Sequence, residues 1–157
     1  MSKLKSQRSN LNVNKPIDVV ILALIRKNGR YLLTLRRDTN PAMNNKWQVP
    51  GGGMEYGERI YETLYREVME ELGVKVEVIS LVPYIDTDIF IDRQMVFITY
   101  LCKLKNTSEI ILNEEATEYR WFSLNELDNI EALHGCKEAI IAAENLCSPS
   151  PFLGYHV

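Results

Sequence analysis

Hydrophobic residues fall into short runs along the chain, and these runs predict strands of a sheet. A near-continuous apolar run such as DVVILALIR is typical of a strand buried on both faces. Asn28-Gly29 follows it directly and favours a tight hairpin turn into the next strand. Pro83 indicates either a strand end or a bulge, because proline cannot donate to a ladder. The predicted strands cover residues 18–26, 31–35, 74–85, 95–103 and 118–122, with a further extended stretch at 109–112 inside the loop 106–113.

Two segments have the helical period instead. Residues 58–72, placed at about 100° per residue, gather their apolar side chains on one side. Gly73 follows where a helix end needs a residue that tolerates positive φ. A last helix is predicted over 136–146, and a capping-box pattern at Ser123–Glu126 begins a short helix before it. The residues predicted to face the core from the first helix are Ile60, Tyr61, Leu64, Val68 and Leu72.

The first helix is also dense in carboxylates. Glu67, Glu70 and Glu71 are spaced three and four apart, so they are close neighbours on its flank. Like charges at this spacing cost a few tenths of a kcal/mol per pair, roughly, which invites a compensating cation. Oxygen ligands suit a hard divalent ion such as Mg²⁺. The alternative is an ordinary solvated acidic face, and the carboxylates alone do not decide between the two.

The stretch from Gly51 to Val74 resembles the Nudix box at every fixed position. The glycines at 51–53 let the backbone turn tightly and come close to a ligand. This resemblance favours the metal-binding interpretation of the acidic helix. The residues that match the box are Gly52, Glu58, Arg66, Glu67, Val68, Glu70, Glu71, Gly73 and Val74.

The resemblance implies a fold and a division of the chain. Nudix proteins are α/β/α sandwiches with a mixed sheet, whereas the hydrophobic pattern alone predicts no more than the α+β class. We expect one domain over residues 17–147, a flexible tail at 1–16 and a second tail at 148–157.

The resemblance also implies roles for residues of the box. Glu67, Glu70 and Glu71 would bind Mg²⁺, with Mn²⁺ as a possible substitute, and Glu67 would orient or deprotonate the attacking water. Arg66 and Glu58, on another face of the helix, would brace the glycine loop against it. Gly52 lies in that loop, next to the substrate. Catalysis is thus assigned to Glu67, Glu70 and Arg66 within the box.

Outside the box, two further residues are implied by similarity to the MutT branch of the family. The loop DTNPAMNNKWQVPG resembles that branch, in which the second of two arginines lies near the substrate phosphate; here it is Arg37. A guanidinium matches phosphate oxygens well. Glu115, six residues before Trp121, matches a glutamate that is a metal ligand or general base in the family, and Glu118 is the alternative.

The substrate implied is a nucleoside or deoxynucleoside triphosphate, cleaved to the monophosphate and pyrophosphate. The base-reading asparagine of MutT is replaced here around Gly135-Cys136. Two alternatives remain open. One is a diphosphate-linked substrate such as ADP-ribose or a nucleotide sugar. The other is a sensor that binds nucleotides without catalysis, whose usual sign, loss of box glutamates, is missing.

Composition and single residues complete the expectations. A net charge of −3 gives no support for binding a nucleic acid polymer. Three widely spaced cysteines favour reduced thiols in a cytoplasm and no zinc site. No apolar run reaches membrane-spanning length, and the polar N-terminus does not resemble a secretory signal. A homodimer is possible. Trp47 is expected to pack in the core, and Asp86-Thr87-Asp88 to form a turn.

Overall fold

A computed structural model describes residues 15–105 and 109–148. Apart from Lys15, Pro16 and Ser148, the two predicted tails lie outside these residues. The elements are β1 (Ile17–Lys27), β2 (Arg30–Arg36), β3 (Trp47–Gln48), β4 (Gly51–Gly53), α1 (Ile60–Leu72), β5 (Val76–Ile89), β6 (Gln94–Leu104), β7 (Ala116–Phe122), a 3₁₀ helix (Leu124–Asn129) and α2 (Cys136–Cys147).

The strands form one mixed sheet. Its main order is β3-β2-β1-β6-β5, with β4 paired to β1 and β7 paired to β2. β1 and β6 run parallel, whereas β1 is antiparallel to β2 and β4, and β5 is antiparallel to β6. The predicted mixed sheet is therefore confirmed.

The sheet is covered by a helix on each face. Alternate residues of β1 belong to two different hydrophobic clusters, since side chains of a strand point alternately to opposite faces. Ile21 and its neighbours on that face pack with Leu64 and Val68 of α1, while Leu24 packs with Ile140 of α2. This arrangement confirms the α/β/α sandwich and explains why the strand runs are continuously apolar.

Several local expectations are confirmed. Asn28 and Gly29 both have positive φ, 50° and 73°, in the turn between β1 and β2. Gly73 ends α1 with φ of 64°. The capping box predicted at Ser123–Glu126 is present. Trp47 is buried in the core with its ring edge-on to Phe122.

The turn expected at Asp86-Thr87-Asp88 is wrong. β5 continues to Ile89, and Asp86 and Asp88 pair with residues of β6. The register of this ladder shifts between Leu81 and Ile85, so Pro83 marks a bulge and not the end of the strand. Backbone pairing with the next strand, β6, outweighs the local turn preference of the aspartates, and the chain reverses instead between Ile89 and Gln94.

Tyr61 was also predicted wrongly as a core residue. It lies in the first turn of α1, where its ring packs against Tyr100 but 51% of the residue stays exposed.

The loop before β7 has no extended stretch where one was predicted. Residues 109–113 belong to no strand, and residues 106–108 of that loop lie outside the described part. Within residues 15–105 and 109–148, no helix is long and apolar enough to span a membrane.

Candidate active site

The three glutamates of α1 differ greatly in exposure. Glu71 is buried, with 5% of its surface exposed. The Glu67 side chain is 13% exposed, and that of Glu70 is 56% exposed. The helix therefore presents two carboxylates towards the sheet and one towards solvent, where the sequence pattern had treated them alike.

Glu71 is a buried acid with one backbone partner. Its carboxylate accepts a hydrogen bond of 3.0 Å from the amide of Gly51. Burial raises the pKa of Glu71 to about 8, and the nearby charges of Glu115 and Glu67 act in the same direction, while the Gly51 bond and Arg36 oppose them. An acid in this position binds either a proton or a cation.

Glu67 lies in a similar environment. Burial raises the pKa of its carboxyl, the hydrogen bond and charge of Arg66 lower it, and the charges of Glu70 and Glu115 raise it. Glu115, the glutamate predicted from outside the box, is close enough for its charge to raise the pKa of both Glu67 and Glu71.

Arg66 ties the acidic helix to the segment before it. Its Nε donates to Glu58 at 2.6 Å, and its Nη2 donates to the carbonyl of Gly53 at 3.0 Å. Its Nη1 lies 2.6 Å from a Glu67 oxygen and 3.2 Å from a Glu70 oxygen. The hydrogen bond from Arg66 lowers the pKa of Glu58 to about 2. The predicted brace is confirmed, although Glu58 precedes α1 and does not lie on it.

The glycines at 51–53 form a strand, and the tight turn towards a ligand that was expected there is wrong. β4 pairs with β1, and Gly51 has φ of 139°. A Cβ at Gly51 would overlap the backbone of Ile21, and a Cβ at Gly52 would lie 2.5 Å from the Glu67 carboxylate. The close approach that requires glycine is thus to β1 and to Glu67.

This geometry predicts different outcomes for three alanine substitutions. Gly51→Ala should lower the free energy of unfolding by about 2 kcal/mol or more, because it combines a strained φ with backbone overlap. Gly52→Ala should fold but lose about 100-fold in turnover, because the added methyl displaces the Glu67 carboxylate. Thermal unfolding and turnover, measured on each variant, separate the two effects.

Gly53→Ala is the matched control. A Cβ there would meet no atom within 4 Å, so both stability and turnover should stay close to those of the unmodified protein. Equal turnover of the Gly52 and Gly53 variants would contradict the role given to Gly52.

A cleft of about 820 Å³ opens beside β4. Gly52 and Glu115, both predicted site residues, line it. Glu67, Glu70, Glu71, Arg66 and Arg37 are not among its lining residues. The glycine strand separates the helix carboxylates from the cleft. Glu71 accepts a hydrogen bond from the Gly51 amide, and the Glu67 carboxylate lies against Gly52.

Glu115 lies just before β7, as the resemblance implied. Its backbone amide donates a hydrogen bond of 3.0 Å to the Asn113 side-chain oxygen, and its carbonyl accepts one of 2.8 Å from the amide of Arg37. Glu118, the alternative, lies inside β7 and pairs with Arg120. Glu115 is therefore the better placed of the two.

The carboxylates have the chemistry of a site for a hard cation, although they are not arranged as a cage. Within residues 15–105 and 109–148, no three His, Cys, Asp or Glu side chains are grouped so as to hold a metal ion. Glu67 and Glu70 are both engaged by Arg66. The donor set fits a divalent cation nevertheless, because it consists of oxygen ligands that are partly desolvated and repel one another.

Of the two adjacent arginines, Arg36 is the one that lines the cleft. Its Nε donates to Asp38 at 2.7 Å and its Nη1 donates to Gln48 at 3.1 Å, and all three residues line the cleft. Arg37, which the resemblance favoured, is exposed and outside the lining, so its contact with phosphate stays a prediction. Neighbouring residues of an extended chain point to opposite faces, so the sequence already indicated that only one of Arg36 and Arg37 can face the cleft.

The sequence also gave no indication of a polar cluster on the far wall. Tyr84, Asp86 and His134 line the cleft where β5 faces the start of α2. Tyr84 and His134 both contact the Asp86 carboxylate, at 2.9 and 3.1 Å. The cluster forms only because β5 stays extended through Asp86 and carries that residue to the cleft; a turn at Asp86 would not do so.

Comparison with known proteins places these features in a family. The chain matches the model of the NUDIX domain over residues 14–143. It is 33% identical over 118 residues to nucleoside triphosphatase NudI of Escherichia coli, which covers 69% of this chain and 83% of that protein. The MutT protein of Methanosarcina mazei has a TM-score of 0.74 at 24% identity, over 87% of this chain and 99% of its own.

A second solved structure has the same fold and belongs to a protein named for a different activity. An ADP-ribose pyrophosphatase from Streptococcus suis superposes with a TM-score of 0.63 at 21% identity, over 85% of this chain and 93% of its own. At these identities the two solved structures indicate the fold, and the sequence matches carry the family.

Proposed function

Because this chain belongs to the Nudix hydrolase family, we propose that it hydrolyses a nucleoside or deoxynucleoside triphosphate to the monophosphate and pyrophosphate. Its similarity to a nucleoside triphosphatase of Escherichia coli supports a triphosphate as substrate. The observation that carries the proposal is the convergence of Glu67, Glu71 and Glu115 beside a cleft that Arg36 also lines.

The divalent metal that Nudix hydrolases use is proposed to be Mg²⁺, with Mn²⁺ as a substitute. Glu67, Glu70, Glu71 and Glu115 are the residues that would hold it. When bound, such an ion neutralises phosphate charge and makes water a better nucleophile. Neutralisation of the mutually repelling carboxylates favours its binding.

The remaining roles belong to the chain itself. Glu67 orients the attacking water and accepts its proton, since its carboxyl has a raised pKa and lies against Gly52 at the cleft. Arg66 is a positioning residue: by donating to Glu67, Glu70 and the Gly53 carbonyl, it fixes the two carboxylates relative to the glycine strand. Arg36 supplies positive charge to the phosphates from the cleft wall, and Arg37 is the alternative for that role.

Other parts of the proposal concern the state of the protein. We expect a cytoplasmic enzyme that acts on small nucleotides, with a homodimer as a further possibility and one domain over residues 17–147. The exposed Cys147 and the buried Cys102 and Cys136 are all free, which agrees with a reducing compartment.

A panel of substrates tests the reaction. Release of pyrophosphate and of phosphate is measured with Mg²⁺ for the common and oxidised nucleoside triphosphates, ADP-ribose and nucleotide sugars. We expect pyrophosphate release from triphosphates and little cleavage of the other compounds. The Glu71→Gln variant, run in parallel, excludes a contaminating hydrolase.

Two other outcomes would each overturn the proposal in a different way. Cleavage confined to ADP-ribose or nucleotide sugars would keep the family chemistry and replace the substrate, in line with the Streptococcus suis structure that shares the fold. Tight nucleotide binding without any cleavage would favour a sensor. The full set of box glutamates argues against the sensor.

A further inference from the structure

The polar cluster on the far wall of the cleft has a defined geometry. The Tyr84 hydroxyl donates to Asp86 Oδ2 at 2.9 Å, and His134 Nε2 lies 3.1 Å from the same oxygen. A Cβ at Gly135 would lie 3.0 Å from that oxygen as well. Gly135 therefore leaves room for Asp86 and offers a ligand no side chain of its own at the start of α2.

The surroundings of the cluster suit a nucleobase. The cleft runs from Gly52, Arg36 and Glu115 to this wall, and it is much larger than a pyrophosphate needs. Apolar side chains such as Val49 and Phe97 line it as well. Small-molecule sites combine apolar walls with a few polar groups that fix orientation, and here Asp86 and its partners are such groups.

The cluster presents hydrogen-bond acceptors, and not donors, to a base. The Tyr84 proton is directed at Asp86, and burial together with Asp86 raises the pKa of Tyr84 to about 12, so its hydroxyl stays protonated. The hydrogen bond from Tyr84 lowers the pKa of Asp86, which is thus a carboxylate. A carboxylate accepts about four hydrogen bonds; the Tyr84 hydroxyl and the Thr87 amide provide two, and His134 Nε2 lies 3.1 Å from the oxygen that Tyr84 contacts.

A remaining lone pair on Asp86 distinguishes bases by the group that they present. An exocyclic amino group donates to it, whereas a carbonyl oxygen at the same position is repelled. Asp88 and Glu138, whose charges also raise the pKa of Tyr84, make this end of the cleft still less favourable for a carbonyl.

We propose that Asp86, held by Tyr84 and His134, reads the nucleobase and selects cytosine or adenine, which carry an amino group, over the carbonyl counterparts uracil and hypoxanthine. This inference rests on the proposed function insofar as a nucleotide occupies the cleft. It goes beyond that function by naming the residue that sets base choice.

The test compares matched substrates that differ in one group. The ratio of kcat/KM is measured for dCTP against dUTP and for ATP against ITP. We expect the amino member to be favoured about tenfold or more within the pair that the enzyme accepts, the size of a hydrogen bond to a charged group. Asp86→Asn should bring the ratio close to one, because the amide can donate to a carbonyl. Tyr84→Phe, which keeps the charge, should reduce the ratio less.

Asp88→Asn is the matched control. It removes the same charge two residues along the same strand and lines the same cleft, but it leaves the contacts of Asp86 with Tyr84 and His134 intact. Because Asp88 acts on the base only through its charge and not through a direct contact, the ratio should fall much less in this variant than in Asp86→Asn. A wild-type ratio at or below one in both pairs would overturn the inference, and so would a ratio that survives Asp86→Asn.

Binding of monophosphates separates this inference from the proposed reaction. Calorimetric titration of CMP, UMP, AMP and IMP needs no hydrolysis. Tighter binding of CMP than UMP, or of AMP than IMP, that is lost in Asp86→Asn supports base reading even if no triphosphate is cleaved. Equal affinities, or no binding of any of the four, would overturn it even if triphosphates are cleaved.

Discussion

Glu71→Gln should reduce turnover by more than about 100-fold while the protein stays folded. Loss of a residue that only supports a metal ligand already costs about 10–100-fold, and Glu71 is assigned a direct contact. Glutamine keeps the shape and can still accept the hydrogen bond from Gly51. Turnover at saturating and at limiting Mg²⁺ measures the effect.

Thermal unfolding of the same variant separates a lost ligand from a damaged core. Without a metal ion the buried Glu71 must either bind a proton or keep a costly buried charge, whereas glutamine is neutral, so with EDTA the variant should unfold at or above the temperature of the unmodified protein. With Mg²⁺ the unmodified protein should gain more stability than the variant. Glu77→Gln, a surface change on β5, is the control for loss of one charge. Near-normal turnover of Glu71→Gln at limiting Mg²⁺ would remove Glu71 from the metal site.

Arg36→Ala should reduce kcat/KM about 10- to 100-fold, whereas Arg37→Ala should change it little. A guanidinium that contacts phosphate makes charge-assisted hydrogen bonds, and loss of one costs an amount in this range. Arg36 lines the cleft and Arg37 does not. Steady-state kinetics on a triphosphate, with both variants side by side, measure the difference.

Two controls separate loss of the phosphate contact from loss of charge and from loss of stability. Arg36→Lys keeps the charge but loses the fork that Asp38 and Gln48 orient, so its activity should lie between those of the alanine variant and the unmodified protein. Thermal unfolding detects damage from breaking the Arg36–Asp38 pair. The opposite order, with Arg37→Ala impaired and Arg36→Ala normal, would return the phosphate contact to Arg37.

The features that the sequence predicted well are those determined by local chemistry or by a continuous pattern. The apolar run of β1 predicted burial on both faces, and the Asn28-Gly29 turn followed from the residues themselves. Gly73 ended α1 for the same reason. The Glu58–Arg66 contact was predictable because both residues belong to one short motif.

The errors concern strand pairing, which the residues next to a position do not indicate. Nothing near Gly51 in the sequence indicates that this segment pairs with β1, and three glycines by themselves favour a turn. Asp86 has the local preference of a turn residue, and only the ladder with β6 keeps it extended. The choice between Arg36 and Arg37 required the phase of β2 relative to the cleft, which depends on packing on both faces of the sheet.

The placement of the acidic residues on α1 has a consequence for how the protein fluctuates. The same thirteen-residue helix carries Glu67 and Glu71 and contributes Leu64, Val68 and Leu72 to a hydrophobic cluster. The backbone amides of that helix are therefore among those expected to exchange hydrogen only through opening of the whole domain. Glu115 is exposed and lies outside any strand or helix, so its backbone amide is expected to exchange hydrogen through a smaller, local opening. The proposed metal site thus combines residues of a core helix with a residue of a surface loop, and hydrogen exchange should distinguish their stabilities.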